Sequence, residues 1–220
     1  MDELLEISHS LIKNTSLEFE RYLKNQIAWD EKLIGIKGAR GTGKTTLILQ
    51  YLKKKKSEGL LVAYFSLDEL YFLENNLLQT AKTFYQTGGK VLALDEVHKY
   101  PSWSRELKNL HDRYPDLQII FSGSSIIDIS KQEGDISRRA IMYELHGLSF
   151  REYLKIKHKL ALPLLKMDQI LFPEGDIRQL FPNDFKPLSY FNDYLTTGYF
   201  PFSGENKELY FQKLRQMIRA

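Results

Sequence analysis

Leu4, Leu5, Leu11, Ile12, Phe19, Leu23 and Ile27 recur at roughly helical spacing, so residues 2–28 read as an amphipathic helix, with Asn14-Thr15-Ser16 the place where it divides in two. A short strand over 32–37 follows, then a glycine-rich turn at 38–43 and a helix over 44–56. The apolar run Leu60 to Phe65 is short and continuous, as a buried strand is, and 68–85 reads as a helix stopped by Gly88-Gly89. Residues 91–94 predict a third strand, 103–113 a helix, 117–121 a fourth strand and 140–145 a fifth. Strands alternating with helices in this way make βαβ units, and these build a mostly parallel sheet covered on both faces. From Ser149 onward strand signals stop, and five of the seven prolines gather there: Pro163, Pro173, Pro182, Pro187 and Pro201. The expected division is an N-terminal helical segment (1–30), an α/β core (31–147) and short helices separated by prolines (148–220).

Composition narrows the class without naming the chemistry. With 43% hydrophobic and 27% charged residues in 220, the chain is neither a disordered nor a fibrous sequence. Its longest apolar run, residues 60–65, falls far short of the ~18 to 20 residues that cross a bilayer. The N-terminus is acidic where a signal peptide is basic, so a cytoplasmic location without membrane contact is expected. The absence of cysteine excludes disulfides, thiolate zinc sites and cysteine nucleophiles. A net charge of +3 permits contact with nucleic acid and does not argue for it.

The most specific signal is Gly38-Ala39-Arg40-Gly41-Thr42-Gly43-Lys44-Thr45, which fits G-x-x-x-x-G-K-[ST] and lies between an apolar strand and a helix. The glycines let the backbone wrap closely, so that N–H groups and the helix N-terminus face phosphate oxygens. Lys44 is then placed to reach the β- and γ-phosphates, and the Thr45 hydroxyl to take Mg²⁺. The nucleotide-binding stretch extends through Thr46.

A second signal is Val91-Leu-Ala-Leu-Asp95-Glu96, four apolar residues ending in two carboxylates. A buried strand delivers its last residues to the edge of the sheet where ligands bind in open α/β folds. Asp95 is the candidate Mg²⁺ ligand, and Glu96 the candidate base that polarises water for in-line attack. The plainer alternative is a solvated acidic turn. The fourth strand runs into Ser122-Gly123-Ser124-Ser125. Resemblance to P-loop ATPases that carry an Asp-Glu pair implies that the strand after the acidic one inserts between it and the strand before the glycine-rich loop, which makes Ser124 the candidate γ-phosphate sensor, a simple helix cap or turn being the alternative.

These motifs resemble AAA-type P-loop ATPases. The fuller set is Gly38-Ala-Arg-Gly-Thr-Gly-Lys-Thr-Thr, Leu94-Asp-Glu-Val-His-Lys-Tyr-Pro-Ser-Trp103, Phe121-Ser-Gly-Ser-Ser, Arg139-Ala, Leu148-Ser-Phe-Arg-Glu-Tyr-Leu154 and Tyr194-Leu-Thr-Thr-Gly-Tyr-Phe-Pro201. Together they resemble the AAA-14, archaeal ATPase-like family, over roughly residues 34–201. The resemblance implies a three-layer αβα P-loop core with a five-stranded sheet, a partial helical lid, and ATP with Mg²⁺. It also implies that Arg139 aligns with a family arginine that neutralises phosphate charge in cis or from a neighbouring subunit. Arg138 stands where the family has glycine, which leaves open which arginine acts.

The function this implies is ATP binding and hydrolysis, coupling nucleotide state to a rearrangement of the lid or of a partner, with ATP/ADP as ligands and a homo-oligomer or protein partner expected. Two other readings stand beside it: a nucleotide-gated interaction switch with negligible turnover, and a DNA-associated motor or loader. Lys53-Lys54-Lys55-Lys56 invites a nucleic-acid reading, but at the end of a helix it is better explained as a solvated terminus favoured by the helix dipole. Glu133 and Asp135 read as loop charges, and the aromatic residues of the tail as packing rather than an adenine clamp. The helical pattern continues through Leu209, Leu214 and Met217 without a stop signal, so a fragment of a longer ATPase is expected.

Overall fold

The computed structural model describes residues 1–124, 136, 138–183, 185–202 and 206–219. Ser125, Glu133 and Asp135 lie outside them. The chain divides into two compact units, Met1–His146 and Gly147–Ala220.

The first unit is built on five strands: β1 (Leu33–Lys37), β2 (Val62–Ser66), β3 (Val91–Asp95), β4 (Gln118–Gly123) and β5 (Ile141–Glu144). Every pairing is parallel, in the order β2-β3-β4-β1-β5. A parallel sheet must be covered on both faces, which is why its strands read as apolar runs rather than alternating ones. Alternate residues feed two cores. Leu33, Ala63, Phe65, Leu92, Leu94, Ile119 and Phe121 face one side, with Trp103, Leu107 and Leu110 of α5 (Trp103–Arg113) and Leu77, Ala81 and Phe84 of α4 (Leu77–Gln86). Ile34, Ile36, Val62, Tyr64, Val91, Ala93 and Ile120 face the other, under Leu47, Ile48 and Leu52 of α2 (Lys44–Ser57).

Helix α1 (Asp2–Asn14) lies along β2, the outer strand, and contributes Leu4 to one core and Ile12 to the other. The hydroxyl of its buried Ser8 accepts a hydrogen bond from the Tyr64 N–H at 2.8 Å, satisfying a donor that an edge strand would otherwise present.

The local reading needs two corrections. Residues 2–28 divide at Asn14, as the Asn14-Thr15-Ser16 break predicts, but the second piece is not an α-helix: only a 3₁₀ turn at Tyr22–Asn25 follows α1. Apolar Phe19, Leu23 and Ile27 keep a helical spacing, but Leu23 and Ile27 serve the core under α2 from an irregular segment, so tertiary burial overrides periodicity here. The stretch 68–85 is likewise two helices, α3 (Tyr71–Glu74) and α4, because the Asn76 side chain accepts from Gln79 N and starts a new helix.

The second unit is helical. It holds α6 (Phe150–His158), α7 (Met167–Leu171), α8 (Pro187–Thr197) and α9 (Lys207–Arg219). Ser149 and Glu152 cap α6 reciprocally, Ser149 N donating to Glu152 Oε2 at 2.9 Å. Tyr194 OH donates to the Leu148 carbonyl at 2.7 Å, and the rings of Phe150, Tyr153, Phe191 and Tyr194 pack together. Those tail aromatics are thereby used in packing.

Candidate functional site

Strand order places the site. Because β4 inserts between β3 and β1, the C-terminal ends of all three strands meet where the loop 38–43 enters α2. The loop starts tightly. A Cβ on Gly38 would stand 2.3 Å from the Leu145 carbonyl oxygen, so only glycine fits between the loop and the segment leaving β5. Within the loop the Thr42 hydroxyl donates to the Ala39 carbonyl at 2.8 Å, and Arg40, Gly41 and Thr46 are exposed.

Lys44 is 5% exposed, and its ammonium donates to the carbonyls of Gly38 at 2.8 Å and Ala39 at 3.1 Å. Burial holds its pKa below the ordinary lysine value, while the carboxylates of Glu96 and Asp95 oppose that shift. A buried ammonium beside two acids, tied among the described residues to loop carbonyls, can exchange those carbonyls for phosphate oxygens.

Asp95 is the hub. It is 2% exposed and accepts four hydrogen bonds. Thr45 Oγ1 reaches Oδ2 at 2.5 Å and Tyr64 OH reaches the same oxygen at 2.9 Å. The Glu96 N–H donates to Oδ1 at 2.9 Å, and the Ser122 hydroxyl donates to Oδ1 as well. The parallel register explains the last contact: Leu94 pairs with Phe121, so Asp95 and Ser122 follow level with each other on the α2 face. Burial first, and the Asp95 charge second, push the Tyr64 phenol far above its ordinary pKa, so it remains a donor.

Thr45 and Asp95 thus bring two hard oxygen donors together, the ligand type Mg²⁺ takes alongside phosphate oxygens. Among the described residues no cluster of three or more His, Asp or Glu side chains could hold a metal unaided. The donor set therefore fits a cation shared with a phosphate rather than one caged by protein.

Glu96 has left-handed backbone, φ 51° and ψ 39°, which is unusual for a non-glycine residue. Glu96 Oε2 accepts from Ser124 Oγ at 2.9 Å, and His98 Nε2 lies 3.5 Å from the same oxygen.

The structure therefore brings Lys44, Thr45, Asp95, Glu96 and Ser124 to one edge of the sheet, and it does not bring Arg139 there. Arg139 precedes β5, at the opposite edge, and its guanidinium is paired with Asp112 at the end of α5, Nε to Oδ1 at 2.8 Å and a terminal nitrogen to Oδ2 at 3.0 Å. Arg139 thus stands apart from residues 38–46, paired with Asp112. Arg139 first, and His111 second, hold the Asp112 carboxyl down at a pKa of about 2. The lysine run is also more than a solvated helix end. Lys53 donates to the carbonyls of Lys13 at 2.8 Å and Thr15 at 2.6 Å, closing the end of α1, and Lys54 pairs with Glu20 at 2.5 Å.

Three contributors escape a linear reading: Tyr64, Ser122 and Arg21. Arg21 is 5% exposed, and it reaches the Thr42 carbonyl at 2.5 Å and the His146 carbonyl at 2.8 Å. A register derived from the strand order would have found Ser122. Nothing local marks the other two.

A family model described as an AAA domain matches residues 30–154. An uncharacterized protein of Methanocaldococcus jannaschii is 31% identical over 208 residues, covering 86% of this chain and 42% of that protein. The chain thus spans less than half the length of that curated relative. Among solved structures, AMPPCP-bound DnaA from Aquifex aeolicus superposes with a TM-score of 0.39 and 20% identity, over 80% of this chain and 57% of that one. DnaI superposes at 0.40 with 14% identity, over 64% and 80% respectively. Overlays at these scores carry no weight on function. No helix among the described residues is long and apolar enough to cross a membrane.

Proposed function

The chain belongs to the AAA domain family, and from that premise we propose that it binds ATP with Mg²⁺ on residues 38–46 and hydrolyses it. The observation that carries this reading is the Asp95 hub: one buried carboxylate at the end of the glycine-rich loop, bonded to Thr45, while its neighbour Glu96 accepts a hydrogen bond from Ser124. Lys44 turns from the Gly38 and Ala39 carbonyls to the phosphates. Thr45 and Asp95 hold the metal. Bound Mg²⁺ supplies neutralisation of the phosphate charge that develops during transfer. Glu96 accepts the proton of the attacking water, and Ser124 fixes the carboxylate for that task. Binding and release of nucleotide then alter the helical unit or a partner, which is how turnover becomes movement.

The test is Mg²⁺-dependent ATP turnover measured beside nucleotide binding. Lys44→Ala is expected to lose nucleotide binding. Glu96→Gln is expected to keep binding and lose at least ~100-fold in turnover, the scale of a missing general base. Turnover of Glu96→Gln at the parent rate would show that the base is another group. Tight binding with no turnover by the parent chain would replace the ATPase by a nucleotide-gated switch.

A further inference from the structure

Arg21 lies in the N-terminal segment, before residue 30 where the family match begins. A buried guanidinium is costly to desolvate, so what its fork reaches is informative. One prong donates to the Thr42 carbonyl at 2.5 Å and the other to the His146 carbonyl at 2.8 Å. These carbonyls come from the middle of the glycine-rich loop and from the segment leaving β5, which at Leu145 already presses on Gly38.

The peptide joining Thr42 to Gly43 is planar and trans, so the Gly43 N–H points opposite to the Thr42 carbonyl. Gly43 has φ 95° and ψ 23°, and glycine permits that peptide to rotate at little steric cost. Thr42 offers no side-chain restraint toward Arg21, because its hydroxyl is turned inward to the Ala39 carbonyl at 2.8 Å. With the Thr42 carbonyl gripped from behind, the N–H is held on the side away from Arg21.

We propose that Arg21 is a positioning residue for phosphate binding: its grip on the Thr42 carbonyl keeps the Gly43 N–H turned into the cradle. This rests on the nucleotide-binding reading above. Arg21 touches no phosphate itself. It supplies from outside the loop the rigidity that glycine removes from within, and preorganised donors bind an anion better than donors that must be turned.

The experiment compares the whole chain with Arg21→Gln and Arg21→Lys. It uses MgADP and MgATP titrations, thermal midpoints without nucleotide, and the Gly43 amide resonance of ¹⁵N-labelled protein. Arg21→Gln should weaken ADP and ATP alike by about tenfold, one charge-assisted hydrogen bond's worth. The Gly43 amide should then no longer show the parent's ADP-induced shift. Arg21→Lys keeps the charge and one prong, and should recover part of the affinity; it decides the matter if Arg21→Gln does not fold. Lowered midpoints with unchanged affinity and an unchanged Gly43 shift would make Arg21 a brace and overturn the proposal alone. A parent chain that binds neither nucleotide would overturn the nucleotide reading, and this inference with it.

Discussion

The Tyr64 hydroxyl donates at 2.9 Å to the same Asp95 oxygen that Thr45 reaches at 2.5 Å, so an outer strand contributes to the carboxylate at the centre of the site. Tyr64→Phe removes that donor and leaves the ring's packing. The expected result is a several-fold rise in the Mg²⁺ concentration needed for half-maximal turnover, with a stability loss of about 1 kcal/mol. A Mg²⁺ titration that superposes on the parent's would remove Tyr64 from the site.

Ser124→Ala strips Glu96 Oε2 of its serine donor at 2.9 Å. Because the hydroxyl orients the proposed base rather than binding the ground state, kcat should fall about tenfold while KM for ATP stays within about twofold. A rise in KM at constant kcat would instead make Ser124 a substrate contact.

The Arg139–Asp112 pair is exposed and far from the loop 38–43. Arg139→Ala should leave the turnover of a dilute, monomeric sample within about twofold. Asp112 has its folded pKa depressed from 3.8 to about 2, so the stability it contributes is present above pH 3.8 and lost as pH falls toward about 2. Urea midpoints of the parent and Asp112→Asn should therefore differ slightly near neutral pH, converge below that window, and differ less in high salt.

Gly35→Ala tests the sheet's interior. A Cβ there would stand 2.2 Å from Met142 Sδ and 2.6 Å from Phe121 Cζ, on the strands either side of β1. The Met142 thioether can move, but the buried Phe121 ring has little room, so a loss of about 1–3 kcal/mol in a denaturant titration is expected.

Much of the fold was legible because its signals are local. Short segments bounded by turns, continuous apolar runs at 60–65 and 91–94, marked all five strands within a residue or two. Their alternation with helices already pointed to a mostly parallel sheet with helices on both faces. The errors fall where packing competes with periodicity: Leu23 and Ile27 keep a helical spacing in a segment that is not an α-helix, and Asn76 cuts 68–85 by capping its own helix.

The sequence by itself determined the glycine-rich loop, its lysine and threonine, and the acid pair, because glycine geometry and the ends of apolar strands are properties of neighbouring residues. Only the tertiary structure decided what surrounds them. The order β2-β3-β4-β1-β5 sets Ser122 level with Asp95, brings Tyr64 in from the outer strand, and carries Arg139 to the opposite edge, where it pairs with Asp112. Arg21, 21 positions from Thr42, reaches the loop only because the segment after α1 folds back beneath it. These contacts join residues 21 to 125 positions apart, and a short-range pattern cannot encode a distance that the path of the sheet defines.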